Sequence, residues 1–334
     1  MRVATYNVEW FGKLFDAGGG LLVDGAWSGR HNVTRATQVA GLLRVFQAVD
    51  ADVWIIVEAP DDGPDRSTRV ALETFAEAAG LRASRALLGF ANHTEQEIAL
   101  LYDPAAVTAD HDPQESRHAP RFDGELVIDL DIDARGDSVV WSKPPLEVAL
   151  RAGDHVLRLI GVHAKSKAPY GAKSAADVMR ISIANRRKQL AQCIWLRRRV
   201  EAHLAAGEAL IVAGDFNDGP GLDEYEKLFG RSGVEIVLGE GAAEGGLLFD
   251  PHAQAALASR FSTPTTARFW IDGEGRYLQA LLDYVMVSPD LRARAPRWRI
   301  WHPFDDPACF GDAALRQALL DASDHFPVSM DIAL

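Results

Sequence analysis

The stretch that decides the fold is Leu210-Ile211-Val212-Ala213-Gly214-Asp215-Phe216-Asn217-Asp218, a short apolar run that ends in a glycine and then in polar side chains. An apolar run bounded by turn residues is typical of a buried strand. Because residues i and i+2 of a strand face the same side, we expect Asp215 and Asn217 to leave the strand side by side. Their oxygens suit Mg²⁺ or Mn²⁺. Gly, Asp and Asn are also ordinary turn residues, so this stretch alone does not separate a metal site from a corner.

Apolar runs that end in polar side chains recur along the chain. The polar residues at these ends are Asn7 and Glu9, Glu58, His163 and Lys165, Asp283, and Asp324 with His325. Carboxylates packed together at one edge repel each other and raise their own pKa values unless a cation lies among them. The recurrence therefore indicates a metal-assisted site rather than a series of capped turns.

Length and composition narrow the possible architectures. At 334 residues the chain exceeds the usual length of one hydrophobic core, so two small domains and one large sandwich are both possible. The net charge of −12 argues against an extended basic surface for coating nucleic acid, although it allows a local phosphate site. No signal-like start or long apolar run is present. We therefore expect no membrane span and a cytoplasmic location. No obligate protein partner is evident from the sequence.

Hydrophobic periodicity predicts alternating strands and helices. The expected strands cover about 2–8, 52–58, 83–89, 97–102, 126–132, 146–150, 156–162, 210–215, 281–288 and the residues after 327, with a hairpin at 269–277. The first expected helix begins at Asn32, which would cap it. A second is expected at 67–79 and would end at Gly80. Further helices are expected at 174–205, at 222–228 and over a short part of 302–322. Long loops are expected at 12–31 and 239–262, and the arginines of 174–205 are expected on a solvated face. We expect one domain over residues 1–334, an α/β (α+β) fold in which two mostly antiparallel sheets pack face to face with helices outside.

In its motifs the chain resembles the endonuclease/exonuclease/phosphatase superfamily, also called DNase I-like. The matching motifs are Tyr6-Asn7-Val8-Glu9, the strand ending at Glu58, Gly161-Val162-His163, Gly214-Asp215-Phe216-Asn217, Leu282-Asp283-Tyr284 and Ser323-Asp324-His325-Phe326-Pro327-Val328. They stand in the family's order and span nearly the whole chain. The resemblance implies a four-layer α/β/β/α sandwich, a divalent-metal site and the hydrolysis of a phosphate ester.

The resemblance also implies which residues surround the metal. Glu58, with Glu9 nearby, would hold Mg²⁺ or Mn²⁺ against a phosphate oxygen. Asn7 would position a metal-bound water, and Asp324 would be a further acidic contact to the metal or to water.

Hydrolysis of a phosphate ester further requires a positioned water and proton transfer. His325 would take the proton from the attacking water, and Asp283 would fix the tautomer of His325. Asp215 and Asn217 would position the phosphate and the water, and His163 would donate to a phosphate oxygen or to the leaving oxygen. The choice between His163 and Asp215 as general acid stays open at this point.

Two lysines are candidate substrate-binding residues. Lys143 falls where many family members carry an arginine that contacts phosphate, but lysine lacks the two-pronged donor geometry. Lys165 belongs to His163-Ala164-Lys165-Ser166-Lys167, which resembles an element of bacterial nucleases. The resemblance further implies that Glu97 orients His163, as a glutamate does in the family, with its neighbour Gln96 as the competing residue.

The function expected from these features is a divalent-metal-dependent phosphodiesterase that hydrolyses nucleic acid. A phosphomonoesterase or a phospholipid phosphoesterase of the sphingomyelinase or inositol-phosphate type is the alternative, and a catalytically inactive binding module is a third. The acidic net charge suits short or single-stranded substrates better than long duplex DNA. Trp27, Trp270 or Tyr170 could stack bases, although ordinary packing is the favoured explanation of these rings.

Overall fold

Two β-sheets form the centre of the computed structural model. It describes residues 1–92, 94, 96–129, 136–219, 230–241, 246–258, 263–271 and 275–334. The strands are β1 (Arg2–Asn7), β2 (Val53–Ala59), β3 (Arg85–Leu88), β4 (Glu97–Tyr102), β5 (Thr108–His111), β6 (Leu126–Ile128), β7 (Asp137–Val139), β8 (Leu146–Ala152), β9 (His155–His163), β10 (Leu210–Asp215), β11 (Ala267–Ile271), β12 (Arg276–Ala280), β13 (Asp283–Val287), β14 (Arg297–Ile300) and β15 (Val328–Asp331).

The strand orders confirm the prediction of mostly antiparallel sheets. The first sheet has six strands in the order β14-β15-β1-β2-β4-β3, and the second has five in the order β13-β10-β9-β8-β5. Each contains one parallel pair, β1 with β2 and β9 with β10, and every other neighbouring pair in these two sheets is antiparallel. The strands β6 with β7 and β11 with β12 form two separate two-stranded antiparallel sheets.

Helices cover the outer faces of both sheets. They are α1 (Arg35–Val49), α2 (Thr68–Ala79), α3 (Ala175–Ala205) and the shorter helices Gly233–Leu238, Pro251–Ala258, Pro289–Arg292, Pro307–Gly311 and Ala313–Ala322, with a 3-10 helix at Phe11–Leu14. α1, α2 and the helix Ala313–Ala322 bury apolar side chains against the first sheet, and α3 does so against the second. A further apolar cluster fills the space between the sheets. The predicted four-layer α/β/β/α sandwich is therefore confirmed.

β2 shows why its sequence is apolar without interruption. Trp54 and Ile56 pack toward the outer helices, whereas Val53, Ile55 and Val57 pack between the sheets. A strand whose two faces are both buried needs apolar residues at every position, and its side chains still alternate with a period of two.

The helix ends confirm one capping prediction and correct another. Gly80 follows α2 with a φ of 60°, as expected for a C-terminal glycine. The cap of α1 is Thr34 and not Asn32, because the Thr34 side chain accepts a hydrogen bond from the backbone N–H of Thr37.

Some expected elements differ from those observed. The stretch 239–262 was expected to be a loop, but it contains the helix Pro251–Ala258, whose first N–H groups are capped by Asp250. Alanine-rich composition is a helix signal that hydrophobic periodicity does not detect. The stretch 302–322 holds two helices instead of one, and the short strands β5, β7 and β14 were not predicted. The helix expected at 222–228 and the end of the strand expected at 126–132 lie outside the described residues.

The arginines of α3 do not all lie on a solvated face, so that prediction is wrong. Arg186 and Arg199 are buried. Arg186 Nη1 lies 2.8 Å from Asp218 Oδ1, and Arg199 Nε lies 3.0 Å from Glu147 Oε1. Burial of these cations is possible because Asp218 after β10, Glu147 in β8 and nearby carbonyl oxygens pair with them. No helix in the described part of the chain combines the length and apolarity that a bilayer crossing requires.

Candidate active site

The polar ends of the central strands meet at one edge of the sandwich, which we term the site edge. Asn7 ends β1, His163 ends β9 and Asp215 ends β10. The side chain of Asn7 donates a hydrogen bond of 3.0 Å to Asp215 Oδ2 and so joins the two sheets. The structure therefore brings together strand ends that lie about 200 residues apart in sequence.

Left-handed backbone conformations gather the side chains at this edge. Glu9, Glu58 and Asn217 have φ values of 37°, 60° and 49°, in a region that non-glycine residues seldom adopt. Each such residue costs on the order of 1–3 kcal/mol and persists only where surrounding contacts hold it. We expected the alternation of a strand to place residues i and i+2 on the same side. Because Asn217 and Glu9 have left-handed backbone conformations, this alternation does not orient their side chains.

Asp215 lies at the centre of the site and is almost fully buried. It accepts hydrogen bonds from the Asn7 side chain and, at 2.7 Å, from the backbone N–H of Asn217. The Nε2 atoms of His163 and His325 each lie 3.9 Å from Asp215 Oδ2. Burial raises the pKa of Asp215 to about 6. One carboxylate thus faces both histidines.

His325 and Asp283 form a close pair. His325 Nδ1 lies 2.7 Å from Asp283 Oδ2, which also accepts a 2.8 Å hydrogen bond from Thr266 Oγ1. Burial acts to lower the pKa of His325, but the charges of Asp283 and Asp215 outweigh it and raise this pKa well above its ordinary value. Asp283 Oδ1 is buried and has no hydrogen-bond partner among the described residues. The pair has the geometry of an Asp–His couple in which the carboxylate fixes the ring.

Three carboxylates lie beside this pair. Glu9 Oε2 accepts a 3.1 Å hydrogen bond from the backbone N–H of Asp324 and forms an ion pair with Arg30 Nη1. Burial and the charge of Asp324 raise the pKa of Glu9 to about 7. Burial also raises the pKa of Asp324, and the charge of Glu58 adds to this rise. Mutually destabilised carboxylates with hard oxygen donors fit a divalent cation such as Mg²⁺. The assignment of Glu9 as a metal contact stays a prediction, and Arg30 is a partner that the sequence did not indicate.

Gln96, and not Glu97, faces the site. Gln96 Nε2 donates to Glu58 Oε2, whereas Glu97 Oε2 accepts a 2.6 Å hydrogen bond from the Asn92 side chain. Gln96 Oε1 accepts a hydrogen bond from Lys143 Nζ. The choice between Gln96 and Glu97, which the sequence left open, is therefore decided in favour of Gln96.

The two candidate substrate-binding lysines lie at the same edge. Lys143 Nζ is 3.2 Å from His163 Nδ1. Lys165 is half-buried, and its charge contributes to lowering the pKa of Lys143 after the larger effect of burial. Lys167 forms a 2.8 Å ion pair with Asp218, so it supports the loop after β10. The roles of Lys143 and Lys165 toward a substrate stay predictions.

A row of rings, which we term the aromatic row, begins next to the site. It consists of the rings of His31, Trp270 and Tyr277, together with the Arg268 guanidinium. The His31 and Trp270 rings lie 5.8 Å apart and nearly parallel, the Trp270 and Tyr277 rings lie 5.1 Å apart, and the Arg268 guanidinium lies 3.5 Å from the Tyr277 centroid. The backbone N–H of Arg268 donates to the Asp324 carbonyl. The row is therefore anchored directly to a predicted site residue.

A model of the Endonuclease/Exonuclease/phosphatase family matches residues 4–325. The structure is similar to truncated Caenorhabditis elegans TDP2, with a TM-score of 0.52, 13% identity and coverage of 99% of this chain and 97% of that chain. It is also similar to D. rerio TDP2 complexed with single strand DNA product, with a TM-score of 0.51, 12% identity and coverage of 100% and 99%. At these identities the likeness concerns the fold, and no curated protein sequence matches significantly. From the family match and the motifs that predicted it, the chain belongs to the endonuclease/exonuclease/phosphatase family.

Proposed function

We propose that the protein is a divalent-metal-dependent phosphodiesterase that hydrolyses short or single-stranded nucleic acid. Proteins of its family are phosphoester hydrolases and typically depend on a divalent metal. The observation that supports the proposal most is the convergence of the His325–Asp283 pair and the bridging Asp215 at one edge, beside the acidic residues. This set offers a base, a polar centre for the phosphate and a place for a cation.

Glu58 would hold Mg²⁺ or Mn²⁺, with Glu9, Asn7 and Asp324 around it. The ion supplies neutralisation of the phosphate charge when it is bound. The raised pKa values of Glu9 and Asp324 support this assignment, because carboxylates that are buried close together are stabilised by a cation placed among them.

His325 would act as the base in an in-line attack. Asp283 holds Nδ1, so Nε2 is the atom that takes a proton from the attacking water. The water oxygen bonds to phosphorus, and the bond to the leaving oxygen breaks. A divalent cation bound at the neighbouring carboxylates would add positive charge near His325. This charge would lower the pKa of His325 and so favour the neutral ring that a base requires. Asp215 and Asn217 would orient the phosphate and the water.

Two observations favour nucleic acid as the substrate. The aromatic row is connected to Asp324 through the backbone N–H of Arg268, and bases stack on aromatic rings with little sequence preference. The similar D. rerio TDP2 structure contains a single strand DNA product. The net charge of −12 disfavours long duplex DNA, whose binding depends on neutralising many phosphates.

A substrate panel tests the proposal. It comprises single- and double-stranded DNA, RNA, a bis-aryl phosphate, a monoester, an inositol phosphate and sphingomyelin, each with Mg²⁺, Mn²⁺, Ca²⁺ or EDTA. We expect turnover of single-stranded oligonucleotides and of the bis-aryl phosphate with Mg²⁺ or Mn²⁺, and none with EDTA. Preference for the monoester or for sphingomyelin would assign the alternative function, and inertness toward every substrate would indicate a binding module.

Variants test the site assignment within the same assay. Glu58→Gln and His325→Ala should lower turnover by about 100- to 10,000-fold, the usual range for an essential acid or base. Glu77→Gln and His118→Ala, which alter exposed residues, serve as matched controls and should retain full activity. Wild-type turnover in either site variant would refute the assignment of that residue.

A further inference from the structure

A chain of hydrogen bonds links Glu58 to His163 through Gln96 and Lys143. A carboxylate only accepts hydrogen bonds and an ammonium group only donates them. The amide of Gln96 must therefore turn its NH₂ toward Glu58 and its oxygen toward Lys143. Both partners require the same orientation of Gln96, so the chain has one consistent arrangement of donors and acceptors.

The same reasoning determines the protonation of His163. Lys143 Nζ lies 3.2 Å from His163 Nδ1. While Lys143 is charged, its ammonium group has no lone pair to accept with, so Nδ1 must offer its own lone pair and carries no proton. The ring proton then lies on Nε2, the atom that faces Asp215. A doubly protonated His163 would bring an N–H group against the ammonium group of Lys143.

His325 has the opposite arrangement. Its Nδ1 faces the carboxylate of Asp283, which only accepts, so this nitrogen carries a proton. The two imidazoles thus approach Asp215 Oδ2 with their Nε2 atoms at the same distance of 3.9 Å. The Nδ1 atom of His325 contacts a carboxylate, whereas the Nδ1 atom of His163 contacts an ammonium group. The two rings therefore differ in which nitrogen atoms carry protons.

We propose that Lys143 is a positioning residue that holds His163 as the neutral tautomer with its proton on Nε2. In the proposed phosphodiesterase reaction, on which this role of the ring rests, His163 then donates a hydrogen bond from Nε2 to a phosphate oxygen. Lys143 acts through His163 and does not itself have to reach the substrate.

Nitrogen-15 NMR of the histidine rings tests the tautomer without any turnover. Long-range ¹H–¹⁵N spectra of the full-length, EDTA-treated protein should show His163 with the Nε2–H pattern, assigned by its loss in His163→Gln. Lys143→Arg retains a donor and should preserve this pattern. Lys143→Glu replaces the donor with an acceptor, so the pattern should change to a protonated Nδ1. Lys165→Met removes a second charge that acts on His163 and should leave the tautomer unchanged.

The outcomes separate this inference from the proposed function. A wild-type His163 with a protonated Nδ1, or an Nε2–H pattern that survives in Lys143→Glu, would overturn the inference whatever the protein hydrolyses. Lys143→Glu should also lower turnover of the bis-aryl phosphate by about 100-fold, as for the loss of one positioned donor, while Lys143→Arg restores most of it. A changed tautomer with unchanged turnover would refute the role of His163 as a phosphate donor. Circular dichroism of each variant verifies that it is folded.

Discussion

At the scale of single residues, the properties of each histidine in the site depend on the charged group that contacts its Nδ1 atom. His325 is backed by Asp283 and His163 by Lys143, so two identical side chains face Asp215 in different protonation states. This difference bears on the general acid, which the sequence left open between His163 and Asp215. A neutral His163 has no readily released proton, whereas the pKa of Asp215 is raised to about 6 by burial. Of the two candidates, Asp215 is the one whose pKa lies near neutral pH, and its role as the general acid stays a prediction.

Glu97 supplies a prediction on stability and pH. Its side chain is only 2% exposed, Oε1 is buried without a partner within the described ranges, and burial raises its pKa to about 7. A carboxyl whose pKa is higher in the folded than in the unfolded protein stabilises the fold at low pH. It loses this contribution as the pH rises from about 4.5 to about 7. Glu97→Gln removes the ionisation, so the variant should match the wild-type melting temperature at pH 5 and exceed it at pH 8.

Thermal denaturation followed by circular dichroism at both pH values, in EDTA, measures this difference. Glu77→Gln, at an exposed position of α2, is the control and should show no such trend. A Glu97→Gln variant that is less stable than the wild type at pH 8 would show that the ionised carboxylate is favourably paired.

At the scale of elements, helix packing positions the Asp324–His325 segment. The helix Ala313–Ala322 packs against α1 and leads directly into Ser323, whose hydroxyl donates a 2.7 Å hydrogen bond to the Asn7 carbonyl. The segment is thus tied both to a helix pair and to the end of β1. A shift between the two helices is therefore expected to change the position of His325.

Gly41 of α1 tests this coupling. An alanine in a helix interior is ordinarily about 1 kcal/mol more favourable than glycine. At Gly41, however, an added Cβ would lie 2.9 Å from the Ala318 carbonyl oxygen, a backbone atom that can move only with its helix. Gly41→Ala should therefore destabilise the protein by roughly 1–3 kcal/mol, as overpacking does, and should lower turnover.

Urea denaturation and kinetics of the bis-aryl phosphate measure both effects. Gly311→Ala is the matched control, because its Cβ would meet open space within the described structure, and it should be neutral or slightly stabilising. A Gly41→Ala variant as stable as Gly311→Ala would show that the two helices can separate without strain.

At the scale of the whole molecule, the two ends of the chain share one sheet. β1 pairs with β15, and Arg2 stands opposite Asp331. A division of the chain into two halves near residue 150 would cut through β8. The apolar cluster between the sheets takes Val3 from the first and Ile211 from the second. These contacts support our proposal that the chain forms one domain.

One domain predicts one cooperative unfolding transition. Differential scanning calorimetry of the metal-free protein should give a single peak whose van't Hoff and calorimetric enthalpies agree, as in two-state unfolding. Two separable transitions, or a stable fragment that ends near residue 150 after mild proteolysis, would contradict the one-domain proposal.

The sequence by itself determined the α/β class, the order of most strands and the residues at their ends. Hydrophobic periodicity and turn residues are local properties, so Asp215, His163 and His325 could be recognised without coordinates. The tertiary structure decided which residues contact the side chains of the site. Whether Gln96 or Glu97 faces the site depends on the register of β4 against β2, which shifts at the irregularity between Val57 and Ala59. The pairing of Arg30 with Glu9, and of Lys143 with His163, joins residues from loops to strand ends, and no local pattern encodes such distances.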